Sequence, residues 1–250
     1  MFRRALACLF LAGALLAPAA ARATGAWSTY LKTYTCTDLL ALQDTIWLAT
    51  GEAGLVRYVR SADRFESITR EPGGLASNAL TALAYDRSGR LWVGTPGKGV
   101  SRLATDRTTW DLVNAFDGLP SDTVSVLEAD GDTMWIGTQR GIALWDGDQI
   151  AGAVPDLGTP SPFRSNVVTG IVVVHDSLFV STEDGAYVAL LSQHLAGWAT
   201  IDTGFAPGSR SIRGLASDGH EIFALLNGAT YRWSMGTKKW SVAADRKSVV

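Results

Sequence analysis

The segment Gly89-Arg-Leu-Trp-Val-Gly-Thr95 decides the fold, because related segments recur along the chain at a nearly fixed interval. Each copy places an apolar residue before an aromatic one, and in most copies small residues follow. The aromatic residues, here called anchors, are 45, 43, 44 and 44 residues apart. A fixed period between about 20 and 50 residues is typical of repeat folds such as propellers. The five anchors are Trp47, Trp92, Trp135, Phe179 and Phe223.

Each unit contains four segments that mostly alternate apolar and polar residues, as half-buried strands do. The anchor lies in the second strand, and a glycine opens the third strand five to seven residues later. Turns rich in Asp, Gly and Ser favour tight hairpins between the strands. The first strands are predicted at 36–42, 80–85, 124–129, 168–173 and 212–216, and the less regular fourth strands at Phe65, Trp110, Trp198, Trp240 and, in a degenerate version, 150–154.

Sheets of this kind cannot bury both faces alone, so neighbouring units must stack on one another. Four-stranded units of this length match a β-propeller of about four to eight blades. We therefore predict an all-β fold, a β-propeller of four-stranded antiparallel blades with about five blades visible, over residues 24–244. The anchors are predicted to pack between blades rather than to form a ligand cage. The repeats are predicted near 36–78, 79–122, 123–166, 167–210 and 211–244.

The N-terminal residues 1–23 read as a secretory signal peptide, with a basic start, an apolar middle and the cleavage pattern Ala21-Arg22-Ala23. The apolar run of 13 residues is shorter than the about 20 that a spanning helix needs. The mature protein is therefore predicted to be secreted or periplasmic, with an uncleaved anchor helix as the alternative. Segment 27–30 is predicted to be an outermost strand that completes the last blade, because pairing there removes an exposed sheet edge.

The last six residues, 245–250, are predicted to be a non-native tail. They match the translation, up to its stop codon, of a common sequencing-adapter read-through, and a short polar natural tail is the alternative. With such a tail, we expect the propeller to be truncated at its C-terminus.

Charge and cysteine content exclude some classes of function. Without the arginines of the signal peptide, 19 basic residues face 24 acidic ones, a net charge of about −5. Because phosphate binding needs a basic stripe, nucleic-acid binding is not expected. Cys36 is the single cysteine after residue 23, which precludes an intrachain disulfide, and it is predicted to be a buried small hydrophobe.

Three segments carry a family resemblance: Gly89 to Thr95, Thr133-Met-Trp-Ile-Gly-Thr138, and Gly118-Leu-Pro-Ser-Asp122. They resemble the two-component regulator propeller repeat. The second and third units fit the pattern well, whereas the first has Ala49 where the family has glycine, and the last two carry Phe for Trp. The resemblance implies an extracytoplasmic module that senses ligands, often joined to a membrane helix and a histidine kinase; many secreted members end in sorting or immunoglobulin-like modules instead.

The sequence contains no converging pattern of catalytic, cofactor-binding or metal-ligating residues. His175, His194 and His220 are dispersed, and no nucleophile elbow, zinc-ligand spacing or phosphate-binding glycine loop occurs. The runs Asp130-Gly-Asp132 and Asp146-Gly-Asp148 offer two carboxylates each, too few for a calcium ion, which takes six to eight oxygen ligands. We therefore predict no cofactor, no metal and no enzymatic activity.

A ligand is expected on the end of the sheets that carries the loops from fourth to first strands and from second to third strands, here called the loop face. The predicted function is an extracytoplasmic binding module, the sensing part of a two-component regulator. The alternatives are a propeller lyase or hydrolase of the streptogramin-lyase type and a structural surface module. The polar candidates are Glu52, Asn78, Lys98, Asp122, Arg140, Asn166 and Asp184, with Asp117, Arg164, Glu183 and Arg210 beside them.

Overall fold

The computed structural model describes residues 35–72, 74–155, 159–193, 197–205 and 210–243. Twenty strands in this part form five four-stranded antiparallel sheets, and within each sheet the strands pair in chain order. The predicted all-β fold with five propeller blades is confirmed. The segments 1–23, 27–30 and 245–250 lie outside the described residues. The first sheet comprises β1 (Cys36–Leu42), β2 (Thr45–Thr50), β3 (Leu55–Val59) and β4 (Arg64–Ile68); the second β5 (Ala82–Tyr85), β6 (Leu91–Gly94), β7 (Val100–Leu103) and β8 (Trp110–Val113); the third β9 (Val124–Asp130), β10 (Thr133–Thr138), β11 (Gly141–Trp145) and β12 (Ile150–Val154); the fourth β13 (Val168–Val174), β14 (Ser177–Thr182), β15 (Gly185–Leu190) and β16 (Ala199–Thr200); and the fifth β17 (Ile212–Ser217), β18 (Ile222–Leu226), β19 (Ala229–Ser234) and β20 (Lys239–Val242).

Helical structure is minor in the described part of the chain. Two 3-10 turns of three residues each occur, Ala115–Asp117 and Leu191–Gln193. No helix among the described residues is long and apolar enough to span a bilayer.

The two faces of each sheet differ because successive side chains of a strand point to opposite sides. In β6, Trp92 and Gly94 lie on one face, and Leu91 and Val93 lie on the other. We call the side that carries the anchor the anchor face, and the other side the reverse face. All four of these β6 residues are buried, so this sheet is covered on both faces.

Four apolar clusters join consecutive sheets, each linking the anchor face of one sheet to the reverse face of the next. Between the second and third sheets, for example, Trp92 and Ala84 pack with Met134 and Ile136. Trp47, Trp135 and Phe179 occupy the corresponding place in the other three clusters. For these four anchors the predicted role in packing between blades is confirmed.

The reverse face of the first sheet and the anchor face of the fifth sheet are not covered in this way, since no described cluster joins these two sheets to each other. On the fifth anchor face Leu225 is 44 % exposed and Phe223 is partly exposed, so Phe223 does not pack between sheets as predicted. On the first reverse face Leu39 is 55 % exposed. Cys36 is likewise exposed, and the prediction that it is buried is wrong, because β1 has no described sheet against its reverse face.

Candidate functional site

The hairpins from second to third strand are held by a buried threonine that ends the second strand. Thr95 Oγ1 donates a hydrogen bond to the carbonyl of Gly99 at 2.8 Å and accepts one from the Lys98 amide at 2.9 Å. The same two kinds of bond recur in the first, third and fourth sheets, whereas the fifth has Leu226 at this position. The clamp therefore fixes the residue at the hairpin tip. The other threonines are Thr50, Thr138 and Thr182.

The glycine that opens the third strand ties this hairpin to the next sheet. Gly99 has φ +72°, and a Cβ there would lie 2.2 Å from the carbonyl oxygen of Val113. Its amide donates to the carbonyl of Asp122 at 2.9 Å, in the loop that enters the third sheet. Matching bonds run from Gly54 to Asn78 and from Gly185 to Arg210, both 2.9 Å. The loop face is thus cross-linked between sheets by main-chain hydrogen bonds.

The candidates in the hairpins and those in the longer loops have different surroundings. Glu52, Lys98 and Arg140 are exposed at the hairpin tips, and Asp184 is half-buried. These positions recur five or six residues after each anchor, so the repeat itself brings them to one end of the sheets. They are the predicted residues best placed to contact a ligand on the loop face.

The loop candidates instead bond within their own loops. Asn78 Oδ1 accepts from the Arg70 amide at 2.6 Å, and Asp122 Oδ1 accepts from the Ala115 amide at 2.7 Å. Asn166 accepts from the Ser161 hydroxyl at 2.5 Å. A side-chain acceptor of this kind satisfies a loop amide, so these side chains position the loop. Of the neighbouring candidates, Asp117, Arg164, Glu183 and Arg210 are exposed.

A polar cluster in the fourth sheet includes two residues that the sequence did not single out, Tyr187 and Asp202. The Tyr187 hydroxyl accepts from the Arg164 amide at 2.8 Å and donates to the Asp184 carbonyl at 3.1 Å. The Arg164 guanidinium pairs with the Asp202 carboxylate, and this hydrogen bond raises the pKa of Arg164. Asp202 follows the irregular fourth strand, where the repeat pattern gives no register. No sequence signal therefore identified it.

Of the residues weighed for catalysis or metal binding, those that the structure describes lie at the other end of the sheets. His175 and His220 are exposed in the turns between first and second strands, and His194 lies outside the described residues. The carboxylate of Asp146 accepts from the amides of Asp148 and Gln149, both at 3.0 Å, and these bonds lower its pKa. It stabilises its own turn. No group of three His, Cys, Asp or Glu side chains suited to a metal occurs in the described ranges.

A groove of about 530 Å³ lies against the outer half of the third anchor face. Its wall includes Trp135, Ile142, Leu144 and Val154, and Leu191, in the 3-10 turn after β15, also lines it. Asp130 is the one charged residue among the described residues that line it. The groove is thus a largely apolar cavity with a single acid at its margin.

The strand register explains why the groove is in the third sheet. In the second sheet Arg102 lies opposite Trp92 and Asp111 lies opposite Arg102. The guanidinium sits 5.4 Å from the indole centroid and 3.0 Å from the Asp111 carboxylate. The first sheet repeats this arrangement with Trp47, Arg57 and Glu66.

The third sheet lacks this cation and its partner acid. Leu144 lies opposite Trp135, and Gly152 lies opposite Leu144. A Cβ added at Gly152 would meet no atom within 4 Å, which shows that the space beside it is open. On the facing sheet Ala189 occupies the register position that Trp145 has in the third sheet, so the facing side chain is small too.

A half-buried carboxyl lies near the groove, on the first strand of the same sheet. Glu128 is directly opposite Trp135 in the β9–β10 ladder, on the anchor face. Burial raises the pKa of Glu128 to about 7, although a hydrogen bond from the Val173 backbone acts in the other direction. The corresponding positions of the second and fourth sheets are Ala84 and Val172. The third sheet therefore introduces an acid where its neighbours are apolar.

A second groove of about 510 Å³ lies between the fourth and fifth sheets. Here Val188 lies opposite Phe179 and Ala199 opposite Val188, so the arginine and the acid are again absent. Its charged lining residue, among those described, is Lys238. Both grooves occur where the arginine and its partner acid are absent, and their charged lining residues, Asp130 and Lys238, have opposite signs.

Comparison with known proteins agrees with this architecture. Residues 74–97, which include β5 and β6, match the family described as two component regulator propeller. The recognition of this repeat from sequence is confirmed. No match was found among curated protein sequences.

Solved structures share the fold at low sequence identity. The extracellular domain of BT4673 from B. thetaiotaomicron, described as a hybrid two component system, superimposes with TM-score 0.67 at 15 % identity, over 86 % of this chain and 28 % of that one. The WD40 β-propeller domain of Doa1 gives 0.64 at 12 %, over 82 % and 67 %. An ancestral GH74 enzyme gives 0.64 at 13 %, over 83 % and 31 %. The chain spans 27 to 59 % of the length of the first three structures that it matches.

Proposed function

We propose that this β-propeller, whose residues 74–97 match two component regulator propeller repeats, is an extracytoplasmic binding module that senses a ligand. The observation that carries the proposal is the row of exposed tips Glu52, Lys98 and Arg140 on the loop face. A threonine clamp holds the amides of Lys98 and Arg140, and that of Ala53 beside Glu52, which reduces the conformational entropy that a ligand would have to remove on binding.

The composition of the row indicates the kind of ligand. Glu52 is acidic, Lys98 and Arg140 are basic, and all three are exposed, so the surface offers both signs of charge and many hydrogen-bond donors. A polar ligand that spans two or more hairpins fits such a surface better than an apolar one.

The extracytoplasmic location rests on two independent supports. The first support is the sequence pattern of residues 1–23, which is typical of a secretory signal peptide. The BT4673 domain, which has the same fold, is an extracellular one. A sensing role would follow the description of that protein as a two component system, and we extend it to this chain as part of the proposal.

The test is a thermal-shift screen of the full chain against a panel of charged and neutral oligosaccharides and small metabolites. We expect at least one compound to raise the melting temperature of the wild type, because a ligand that binds only the folded state stabilises it. Lys98→Ala with Arg140→Ala should remove this shift. The matched control is Arg87→Ala, an exposed arginine in a turn at the opposite end of its sheet, which should retain it.

Three outcomes separate the competing functions. A stabilising compound that is consumed during incubation would establish the lyase or hydrolase alternative. A shift that the loop-face variant does not reduce would contradict the proposed surface. A chain that responds to no compound would favour a structural surface module.

A further inference from the structure

The groove of the third sheet stands at a position that the first and second sheets fill with an arginine. In those sheets the guanidinium lies 5.6 Å and 5.4 Å from the anchor indole and pairs with an acid on the fourth strand. Leucine at position 144 reaches less far than arginine, and Gly152 supplies no side chain. The volume of the guanidinium and its partner is therefore left open beside Leu144 and Gly152, and Trp135, which is 3 % exposed, contributes only an edge of its indole to the lining.

The third sheet has lost the acid that pairs with the arginine, but two other acids of its first strand lie near the anchor. Asp130 lines the groove, and Glu128 lies directly across the ladder from Trp135. Among the described residues that line the groove there is no Lys, Arg or His. An acid without a counter-ion beside an apolar wall and an indole attracts a cation that carries an apolar body.

We propose that this groove binds a small organic cation, a guanidinium or amine on an apolar body, whose head replaces the missing arginine beside Trp135. The apolar body lies along Leu144 and Val154, and the head is balanced by Asp130, which lines the groove. Glu128, across the ladder from Trp135, does not line the groove and adds its charge from a longer distance. This site goes beyond the proposed loop-face function, because none of the loop-face tips lines it.

The second groove is an internal control for the role of charge. It has nearly the same volume and the same loss of the arginine and acid pair. Lys238 lines it in place of an acid, and its anchor is Phe179. A cation should therefore select the groove of the third sheet and avoid the groove between the fourth and fifth.

The experiment uses isothermal titration calorimetry of the full chain at pH 8, where Glu128 is mainly ionised. The probe is n-butylguanidinium, and n-butylurea is its neutral isostere. We expect the cation to bind at least about tenfold more tightly than the urea, a ratio that corresponds to about 1.4 kcal/mol.

Two paired variants locate the site. Leu144→Arg with Gly152→Asp rebuilds the internal pair of the second sheet and should weaken butylguanidinium binding at least about tenfold. The matched control, Val188→Arg with Ala199→Asp, makes the same change in the fourth sheet and should leave binding within about twofold. Asp130→Asn with Glu128→Gln removes both charges with little change of shape, and should abolish the preference for the cation over the urea.

The result is decisive in each direction. Equal binding of urea and guanidinium, or no binding of either at 10 mM probe (about ten times a 1 mM dissociation constant), would overturn the proposal. Unchanged affinity in the folded Leu144→Arg, Gly152→Asp protein would place the cation elsewhere and overturn it as well. If that variant does not fold, the Asp130→Asn, Glu128→Gln protein still decides the matter, because a retained preference for the cation refutes the role of these acids.

Discussion

The second and third sheets are adjacent and share a strand plan, yet their anchor tryptophans have different partners. The Trp92 indole N–H donates to Asp86 at 3.0 Å, and Arg102 lies over its ring. The Trp135 indole N–H finds no acceptor among the described residues, and its outer neighbour is a groove. The repeat therefore fixes the position of the anchor and leaves the chemistry around it variable.

The interface between the sheets and the slot at the outer edge of the anchor differ in how much sequence variation they tolerate. Packing between the sheets depends on the anchor and on the apolar residues of the next reverse face, which both interfaces retain. The outer slot is filled by an ion pair near solvent, and such pairs contribute little to stability. A unit can lose that pair and keep its fold, and the loss creates a cavity.

The largest loss of stability in both sheets is expected from removal of the anchors. Trp92→Ala should lower the free energy of unfolding by about 4 kcal/mol and Trp135→Ala by about 3 kcal/mol, since large-to-small changes in a core cost about 3 to 5 kcal/mol. The Trp92→Ala variant loses a buried hydrogen bond and a contact with Arg102 in addition to the packing of the indole. Urea unfolding followed by circular dichroism measures both. A larger loss at Trp135 would contradict the comparison.

A smaller loss is expected from the acid that holds Trp92. Asp86 is buried and accepts from the Trp92 indole, the Arg90 amide and the Arg90 guanidinium. Asp86→Ala leaves these donors unpaired and should cost about 2 to 3 kcal/mol. Although burial acts in the opposite direction, these bonds lower the pKa of Asp86.

Because its folded-state pKa is lowered, Asp86 contributes stability above the ordinary pKa of an aspartate and loses it as pH falls through the lowered value. The stability difference between wild type and Asp86→Ala should therefore shrink in acid, below about pH 4. A difference that stays constant from pH 7 down to pH 2 would show that Asp86 acts through packing alone.

Glu128 in the third sheet should behave in the opposite way. Its folded pKa of about 7 lies above the ordinary value, so the folded state favours the protonated form. The wild type should lose stability as pH rises from about 4.5 to about 7, because the unfolded chain releases the proton first. At pH 8, Glu128→Gln should be more stable than wild type by about 2 kcal/mol, since each pKa unit is worth about 1.4 kcal/mol and residual solvent contact reduces the total.

Denaturation curves at pH 4 and pH 8 measure this effect. The gain from Glu128→Gln should disappear at pH 4, where the carboxyl is protonated in both states. A gain of equal size at both values would assign the effect to shape rather than to charge.

The smallest effect is expected when the second sheet is converted to the pattern of the third. Arg102→Leu with Asp111→Gly should cost about 1 kcal/mol, because the acid of the ion pair is exposed and the contacts of Arg102 with the Trp92 and Trp145 indoles are each weak. The same change should open a slot beside Trp92, but Trp145 faces it and Ala84 stands where the third sheet has Glu128, so butylguanidinium should bind there more weakly than in the groove of the third sheet. A loss above about 3 kcal/mol would mean that the pair supports the fold, and the slot would then not be freely variable.

The fold was predictable because its signal is repeated. The anchor spacing set the phase of five units, and the apolar alternation around Trp92 and Trp135 set the faces. Prediction was less successful at the ends of the arrangement. Phe223 and Cys36 have the sequence character of core residues, and their exposure depends on whether another sheet packs on them, which no local pattern encodes.

The sites were only partly predictable. The repeat correctly grouped the tips Lys98 and Arg140 on one end of the sheets, but the internal bonds of Asn78 depend on a loop path that residue types do not specify. The groove did leave a signal, since Arg57 and Arg102 align with Leu144 once the repeats are superimposed. This signal indicates a groove only once the strand register is known, because the register places Gly152 opposite Leu144.

The most direct test of the difference between the two sheets is a ¹H–¹⁵N spectrum of the nine tryptophan indole groups during titration with butylguanidinium. Trp92→Phe and Trp135→Phe assign the two resonances. We predict that the Trp135 indole resonance shifts progressively to saturation while the Trp92 resonance stays in place. A shift at Trp92 with none at Trp135 would contradict the claim that the third sheet, and not the second, presents its anchor to a ligand.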